Sequence, residues 1–387
     1  MKRYLIYLIG LLFCGLLIGC TAGPVEELPE TAQLVAIRFG KPDLGIPVVL
    51  TRAGETVTPP PEPALLPAGA TVRICGYLRG EVGEPTVPVP FATATPSFEV
   101  TYVVKADGSL SPCVVDDSGT ELPENAGELV VRGGVYDFYA VSPARKPVTD
   151  ADNRYMIAVL PHKEDIMTSF VREVTISRTS RVVKLETFRR QCALLVFNVA
   201  PSPDNALPFD ELFGTKLVLT HISSSGANLI VGADTGISPT GGESGVETEV
   251  TFGSDEFVPV EEGSDPDDMG LNKIKGVILP KNNLPFEVEI GVQKNNETAT
   301  LKATIDKRIT FDAGKRYVFT LEVKNNESRL NLRVLAWNAV PFSDGNVGGP
   351  DEPYPDPDIH QGIGIVMTVA SWKDIVWSGN GEVGGGE

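Results

Sequence analysis

Between Phe311 and Trp337 the chain alternates apolar and polar positions with a period of two. After the turn Asp312-Ala313-Gly314-Lys315, the residues Tyr317, Phe319, Leu321 and Val323 share one face, and Val318, Thr320, Glu322 and Lys324 share the other. Residues 324–328 turn the chain again, and Leu330, Leu332 and Val334 begin another strand that ends at Trp337. Successive side chains of a strand point to opposite faces, whereas a helix repeats every 3.6 residues. The pattern therefore predicts an antiparallel hairpin with one face buried and the other wet.

The same reading extends over most of the chain. Residues 31–39 form a strand with Gln33, Val35, Ile37 and Phe39 on one face, and further strands are expected at 71–78, 98–104, 128–132 and 135–141. A second set begins near Val182 and includes 194–199, 216–220 and 286–292. The 39 glycines and 31 prolines, with no long heptad pattern, suit many short strands joined by turns. Helix candidates are few, chiefly 208–213. The expectation is an all-β chain of two antiparallel β-sandwich domains, 31–185 and 186–342.

The ends are different in kind. Lys2 and Arg3 precede an apolar run that closes on Leu17-Ile18-Gly19-Cys20. That run is shorter than the roughly 20 residues a membrane-spanning helix needs, and it has the layout of a secretory signal. Residues 1–19 are expected to be removed and Cys20 to carry lipid, with 20–30 as a polar tether. Two or three acyl chains on one N-terminus anchor stably where one does not. At the other end, residues 343–361 form a Gly-, Pro- and Asp-rich linker to a C-terminal strand extension within 343–387, in which Ile363, Ile365, Met367 and Val369 alternate.

Charge and chemistry-bearing residues exclude several classes. The formal charge of −18 repels phosphate backbones, so nucleic acid is not an expected partner. Between Lys216 and Lys273 there are eleven acidic residues and no lysine or arginine, which reads as a long solvated loop spanning about 222–272. His162, His221 and His360 lie far apart, at surface or loop positions, and no metal is expected. The acidic runs 265–268 and 351–358 lack the ligand spacing of a calcium loop. Neither a nucleophile elbow nor a phosphate-binding glycine loop is present, so neither enzymatic activity nor a cofactor is expected. Cys75 and Cys113 either pair in an oxidising compartment or sit as apolar residues in two strands, and Cys192 reads as core.

Four segments in this order resemble the fimbrillin-like lipoproteins of Bacteroidetes, which build or cap cell-surface pili. They are the Cys20 lipobox, Tyr136-Asp137-Phe138-Tyr139-Ala140-Val141-Ser142-Pro143, Val277-Ile278-Leu279-Pro280 ahead of 286–292, and Phe311-Asp312-Ala313-Gly314-Lys315-Arg316-Tyr317 leading to Trp337. The resemblance implies transthyretin-like sandwiches, an outer-membrane lipid anchor at the cell surface, and other pilus subunits as partners through β-strand addition. It also implies that 31–39 is removed by cleavage after an arginine. Arg52, in a loop of small residues, is the candidate, because Arg38 falls within the strand. Ile363, Ile365, Met367 and Val369 are then either a donor strand for a neighbour's groove or the completion of their own sheet. The other function open to such a chain is a monomeric surface lipoprotein that holds a glycan or host protein with loop 222–272.

Overall fold

The computed structural model describes residues 33–341 apart from 46–47, 51–63, 202–211, 224–225, 234–235, 239–248, 261–270, 283–284, 295–296, 306–308, 324–327 and 337–338. Apart from one 3-10 turn at Ser254–Glu256, its regular structure is strand. The first half holds β1 (Leu34–Ala36), β2 (Arg38–Phe39), β3 (Val48–Leu50), β4 (Thr71–Gly80), β5 (Phe98–Val104), β6 (Leu110–Val115), β7 (Glu121–Asn125), β8 (Val130–Arg132), β9 (Gly134–Ser142), β10 (Val148–Thr149), β11 (Tyr155–Leu160), β12 (Met167–Ile176), β13 (Val182–Val183) and β14 (Arg189–Arg190). The second holds β15 (Ala193–Pro201), β16 (Leu212–Thr220), β17 (Ala227–Ile230), β18 (Ile237–Ser238), β19 (Glu249–Phe252), β20 (Val258–Pro259), β21 (Asn272–Ile278), β22 (Phe286–Lys294), β23 (Glu297–Ile305), β24 (Lys315–Val323), β25 (Ser328–Ala336) and β26 (Ala339–Pro341).

A seven-stranded sheet, in the order β14-β12-β9-β4-β5-β6-β7, organises the first half. Its third strand, β9, lies inside the sheet between β12 and β4 and is buried along its whole length. A strand covered on both faces loses the apolar/polar alternation, and the run from Gly134 to Ser142 shows that. Val72, Ile74, Tyr102, Val104, Tyr136 and Phe138 face one core, which the short segments β1, β2, β8 and β13 close from above. On the other face Cys75, Tyr77, Tyr139 and Val141 meet Phe91 and a four-stranded sheet, β10-β11-β17-β18. That small sheet draws strands from both halves of the sequence.

The second half packs the five-stranded sheet β20-β21-β15-β24-β25 on the four-stranded sheet β19-β16-β22-β23. The alternation that opens the sequence reading lies at its centre. Tyr317, Phe319, Leu321 and Val323 of β24 are buried beside Leu195, Phe197 and Val199 of β15, and the Phe197 and Phe319 rings stack 6.0 Å apart. Fully burying such side chains contributes about 1.5–3 kcal/mol each.

Several expectations are corrected. Sheet pairing is antiparallel except for β15–β24, β2–β13 and β3–β26, which run parallel. Parallel partners need a long crossover, and here more than a hundred residues, including the whole facing sheet, separate β15 from β24. Segment 222–272 is not simply a solvated loop. It supplies β17 to β20, with Ala227, Leu229, Val231, Ile237, Val250 and Phe252 buried. Leu212 and Phe213 begin strand β16 rather than ending a helix, and 208–211 lie outside the described residues. Val182 and Val183 belong with the first half rather than the second, since β13 pairs with β2, and Val183 is buried in the first core while Val182 faces solvent. Of the two alternatives left open for Cys75 and Cys113, the structure has the second: both are free, buried thiols.

Candidate functional site

Residues 33–40 lie in a slot and are hydrogen-bonded along both edges. On one side β1 runs antiparallel to β8, with Leu34 opposite Arg132 and Ala36 opposite Val130. The Ile37 amide donates to the Leu129 carbonyl at 3.0 Å, and the Gly133 amide donates to the Gln33 carbonyl at 3.0 Å. On the other side β2 runs parallel to β13, and the Arg38 and Gly40 amides donate to the Arg181 and Val183 carbonyls, each at 2.9 Å.

The period-two pattern expected from the sequence decides which side chains enter the slot. Val35, Ile37 and Phe39 are buried, while Leu34, Ala36 and Arg38 face solvent, Leu34 at 74 % exposure. The strand breaks between Ala36 and Arg38, so the ladder on each edge is two or three residues long. Apolar burial therefore does more to hold the segment than its backbone bonds do. At about 25 cal/mol per Å2, three such side chains contribute on the order of 5–8 kcal/mol. Phe39 meets Tyr102 edge-on, with ring centroids 5.4 Å apart.

The chain leaving this strand is clamped. Asp43 accepts from the Thr187 hydroxyl at 2.8 Å and from the Gly45 amide at 3.1 Å, while its carbonyl takes the Phe188 amide at 2.8 Å. Gly45 has φ of 83°, a left-handed conformation that costs glycine little. The Leu44 amide donates to the Ala64 carbonyl at 2.7 Å and the Ala64 amide to the Gly45 carbonyl at 3.0 Å. Residues 45 and 64 are thus neighbours, and the intervening stretch leaves and returns at one place. Within it β3 pairs with β26, Val48 opposite Ala339 and Leu50 opposite Pro341.

Of the residues singled out from the sequence, Val35, Ile37 and Phe39 are brought together here. Cys20, Arg52, Ile363, Ile365, Met367 and Val369 lie outside the described residues. The walls of the slot, Leu129–Val131 and Arg181–Val183, come from segments whose pairing had no signal in the sequence. Short alternating runs cannot name each other as partners across the 98 residues from Leu34 to Arg132 or the 144 from Arg38 to Val182.

Elsewhere the titratable groups are committed to structure. Burial pushes the Cys75 and Cys192 thiols up to about 12 and raises that of Cys113, so none is poised as a nucleophile. His162 is buried rather than at the surface, with both ring nitrogens bonded to backbone. His221 is exposed, and His360 lies outside the described residues. Among the described residues no group of three or more His, Cys, Asp or Glu is placed to hold a metal ion.

Comparison with known proteins gives three findings. The profile of the fimbrillin-like family matches residues 44–344. A protein from Bacteroides fragilis described as a candidate for cell adhesion is 16% identical with a TM-score of 0.52, and the alignment covers 82% of this chain and 100% of that one. The tip fimbrial protein of Porphyromonas gingivalis, solved with a C-terminal truncation, is 10% identical over 79% of this chain and 98% of that one, with a TM-score of 0.33. The first of these likenesses is one of fold. No curated protein sequence matches the chain.

Proposed function

This chain belongs to the fimbrillin-like family, and from that membership we propose that it is a structural or tip subunit of a cell-surface pilus, assembled by removing its first strand and accepting a strand from another subunit. The observation that carries the reading is the slot around residues 33–40. Its occupant is bonded on both edges, buries three apolar side chains and touches the groove floor through Phe39. Taking that occupant away leaves backbone donors and acceptors of 129–133 and 181–183 without partners above an apolar floor. An incoming alternating strand satisfies both needs, which is the physics of β-addition.

The rest of the proposal concerns the ends of the chain. Ile363, Ile365, Met367 and Val369 have the same period of two as Val35, Ile37 and Phe39, and linker 343–361 gives them reach. Cleavage after Arg52 would release β1 and β2 together with β3. Cys20 would tether the precursor to the outer membrane by lipid. We place the boundary between the two sandwiches a few residues beyond the expected 185–186, after β14, which pairs with β12 of the first sheet. The other reading, a monomeric lipoprotein holding a glycan or host protein through 222–272, is weakened because much of that segment is built into sheets.

The test is the N-terminus of the mature form isolated from the native cell surface. A start at Ala53 supports strand removal. A lipidated Cys20 retained throughout the assembled population overturns it, and so does unchanged polymer length after deletion of 362–387.

A further inference from the structure

His162 joins parts of the chain that lie far apart in sequence. It follows β11, and the residue is 9 % exposed. Nε2 bonds the Ser223 carbonyl at 2.7 Å, and Nδ1 accepts the Leu279 amide at 3.1 Å. An acceptor at Nδ1 fixes the proton on Nε2, so the ring is the neutral tautomer. The bonds around it tie the same segments. The Ser223 hydroxyl donates to the Pro280 carbonyl, the Lys163 amide to the Val277 carbonyl at 2.8 Å, and the Gly226 amide to the Leu160 carbonyl at 2.8 Å.

We propose that His162 is an acid-sensitive latch that holds the 160–163 segment to Ser223, Gly226 and 277–280 when its ring is neutral and releases them when the ring is protonated. A proton on Nδ1 turns the acceptor into a donor facing the Leu279 amide. The bond is lost, a charge is buried, and an amide beside a side chain 1 % exposed is left without its acceptor. This goes beyond the strand-exchange reading and does not depend on it.

The charged groups around the ring are engaged elsewhere. Lys163 pairs with Glu256 at 2.7 Å and lies 4.7 Å over the Phe252 ring. Glu164 is held by Arg145, and Asp165 by Arg190 at 2.9 Å. Beyond Leu279, the Lys281 ammonium donates to the Asn282 and Ile309 carbonyls. On the 221–223 turn His221 is exposed. Among the described residues no carboxylate hydrogen-bonds the ring to favour its charged form. Burial accordingly holds the imidazole below its ordinary 6.5. With the folded value depressed, the unfolded chain binds the extra proton first. Stability is therefore lost as pH falls from 6.5 toward the folded value.

The test is amide hydrogen exchange at Leu279 in the full chain between pH 7.5 and 4.5, corrected for intrinsic exchange rates. It compares the natural protein with His162→Gln, whose amide can accept from Leu279 and donate to Ser223 but does not titrate in this range. The natural protein should lose protection at Leu279 by up to about tenfold per pH unit once the ring titrates, and the variant should not. Equal pH responses in the two proteins, or constant protection in the natural one, overturn the latch. If the variant fails to fold, Leu279 protection in the natural protein must begin to fall near 6.5 and level off at the His162 midpoint followed by NMR. A fall outside that window overturns the proposal.

Discussion

Phe39 meets Phe138 edge-on, with ring centroids 5.6 Å apart and ring planes at 82°. Phe138 belongs to the doubly covered strand β9 of the large sheet, whereas Phe39 belongs to a segment with short ladders on both sides. This contact ties a segment held by short ladders to the buried floor of the large sheet. Phe39→Ala should cost about 3–5 kcal/mol, as large-to-small core changes do, and Leu34→Ala on the exposed face of the same segment should stay within about 0.5 kcal/mol. Chemical denaturation of the two variants checks this. Similar losses from both would mean that the segment is not held through its inward face.

Asp137 is fully buried and has four hydrogen-bond donors. Arg79 and Arg172 reach its oxygens at 3.2 and 3.0 Å, and the amides of Val89 and Glu173 at 2.9 and 2.8 Å. The cluster pins the excursion between β4 and β5 onto the sheet, at the bulge where β12 shifts register between Val171 and Val174. Breaking a buried pair from one side leaves a poorly compensated charge, here Arg79, whose side chain is 4% exposed and whose other carboxylate partner is the exposed Glu173 at 3.7 Å. Asp137→Ala should therefore lose about 3–5 kcal/mol. Replacing Arg79 and Asp137 together by apolar residues should cost less than the single change. A double variant at least as unstable as Asp137→Ala would show that the net charge pairing is favourable here.

How much of this was legible in the sequence depended on how local the signal was. The alternation of 317–323 and of 33–39 specified a strand and its buried face, because period two is carried by neighbouring residues. The four-stranded sheet β10-β11-β17-β18 has little signal in the sequence, because the acidic, glycine-rich surroundings of 227–238 outweigh a short alternation of Ala227, Leu229 and Val231. Pairings such as β15 with β24, or His162 with Ser223 and Leu279, join residues tens to more than a hundred positions apart. Their partners are selected by the packed fold and leave no pattern along the chain.

Cysteine chemistry gives another test. Cys75 of β4 lies opposite Glu99 of β5, and β6, which carries Cys113, runs along the other edge of β5. Strands two apart in a sheet are about 9.5 Å apart, beyond the roughly 7 Å that a disulfide can bridge. Native protein should leave Cys75, Cys113 and Cys192 unlabelled by a thiol reagent, all three should react after denaturation, and reductant should not move Tm. A Tm that falls on reduction would contradict the separation of the two thiols.

Lys281 carries a pH signature opposite in range to that of the carboxylates. Its residue is 4 % exposed, its ammonium donates to the Asn282 and Ile309 carbonyls at 2.7 and 2.9 Å, and it lies 5.1 Å over the Phe286 ring. Burial pulls its pKa down to about 8 from an ordinary 10.5. Between those values the unfolded chain holds a proton that the folded chain has released, so this group makes stability rise with pH across that window. Below 8 both states are charged and the contribution is flat. The rise should be on the order of 1–3 kcal/mol. Buried tyrosines such as Tyr102, raised to about 12, act in the opposite sense once the unfolded phenol ionises above 10. The quantity to measure is therefore the difference between the natural protein and Lys281→Met in urea unfolding at pH 7.5, 8.5 and 9.5. Lys281→Met should remove the rise even if it lowers stability overall by leaving two carbonyls without their donor. Identical slopes in the two proteins would mean that Lys281 titrates as an ordinary surface lysine.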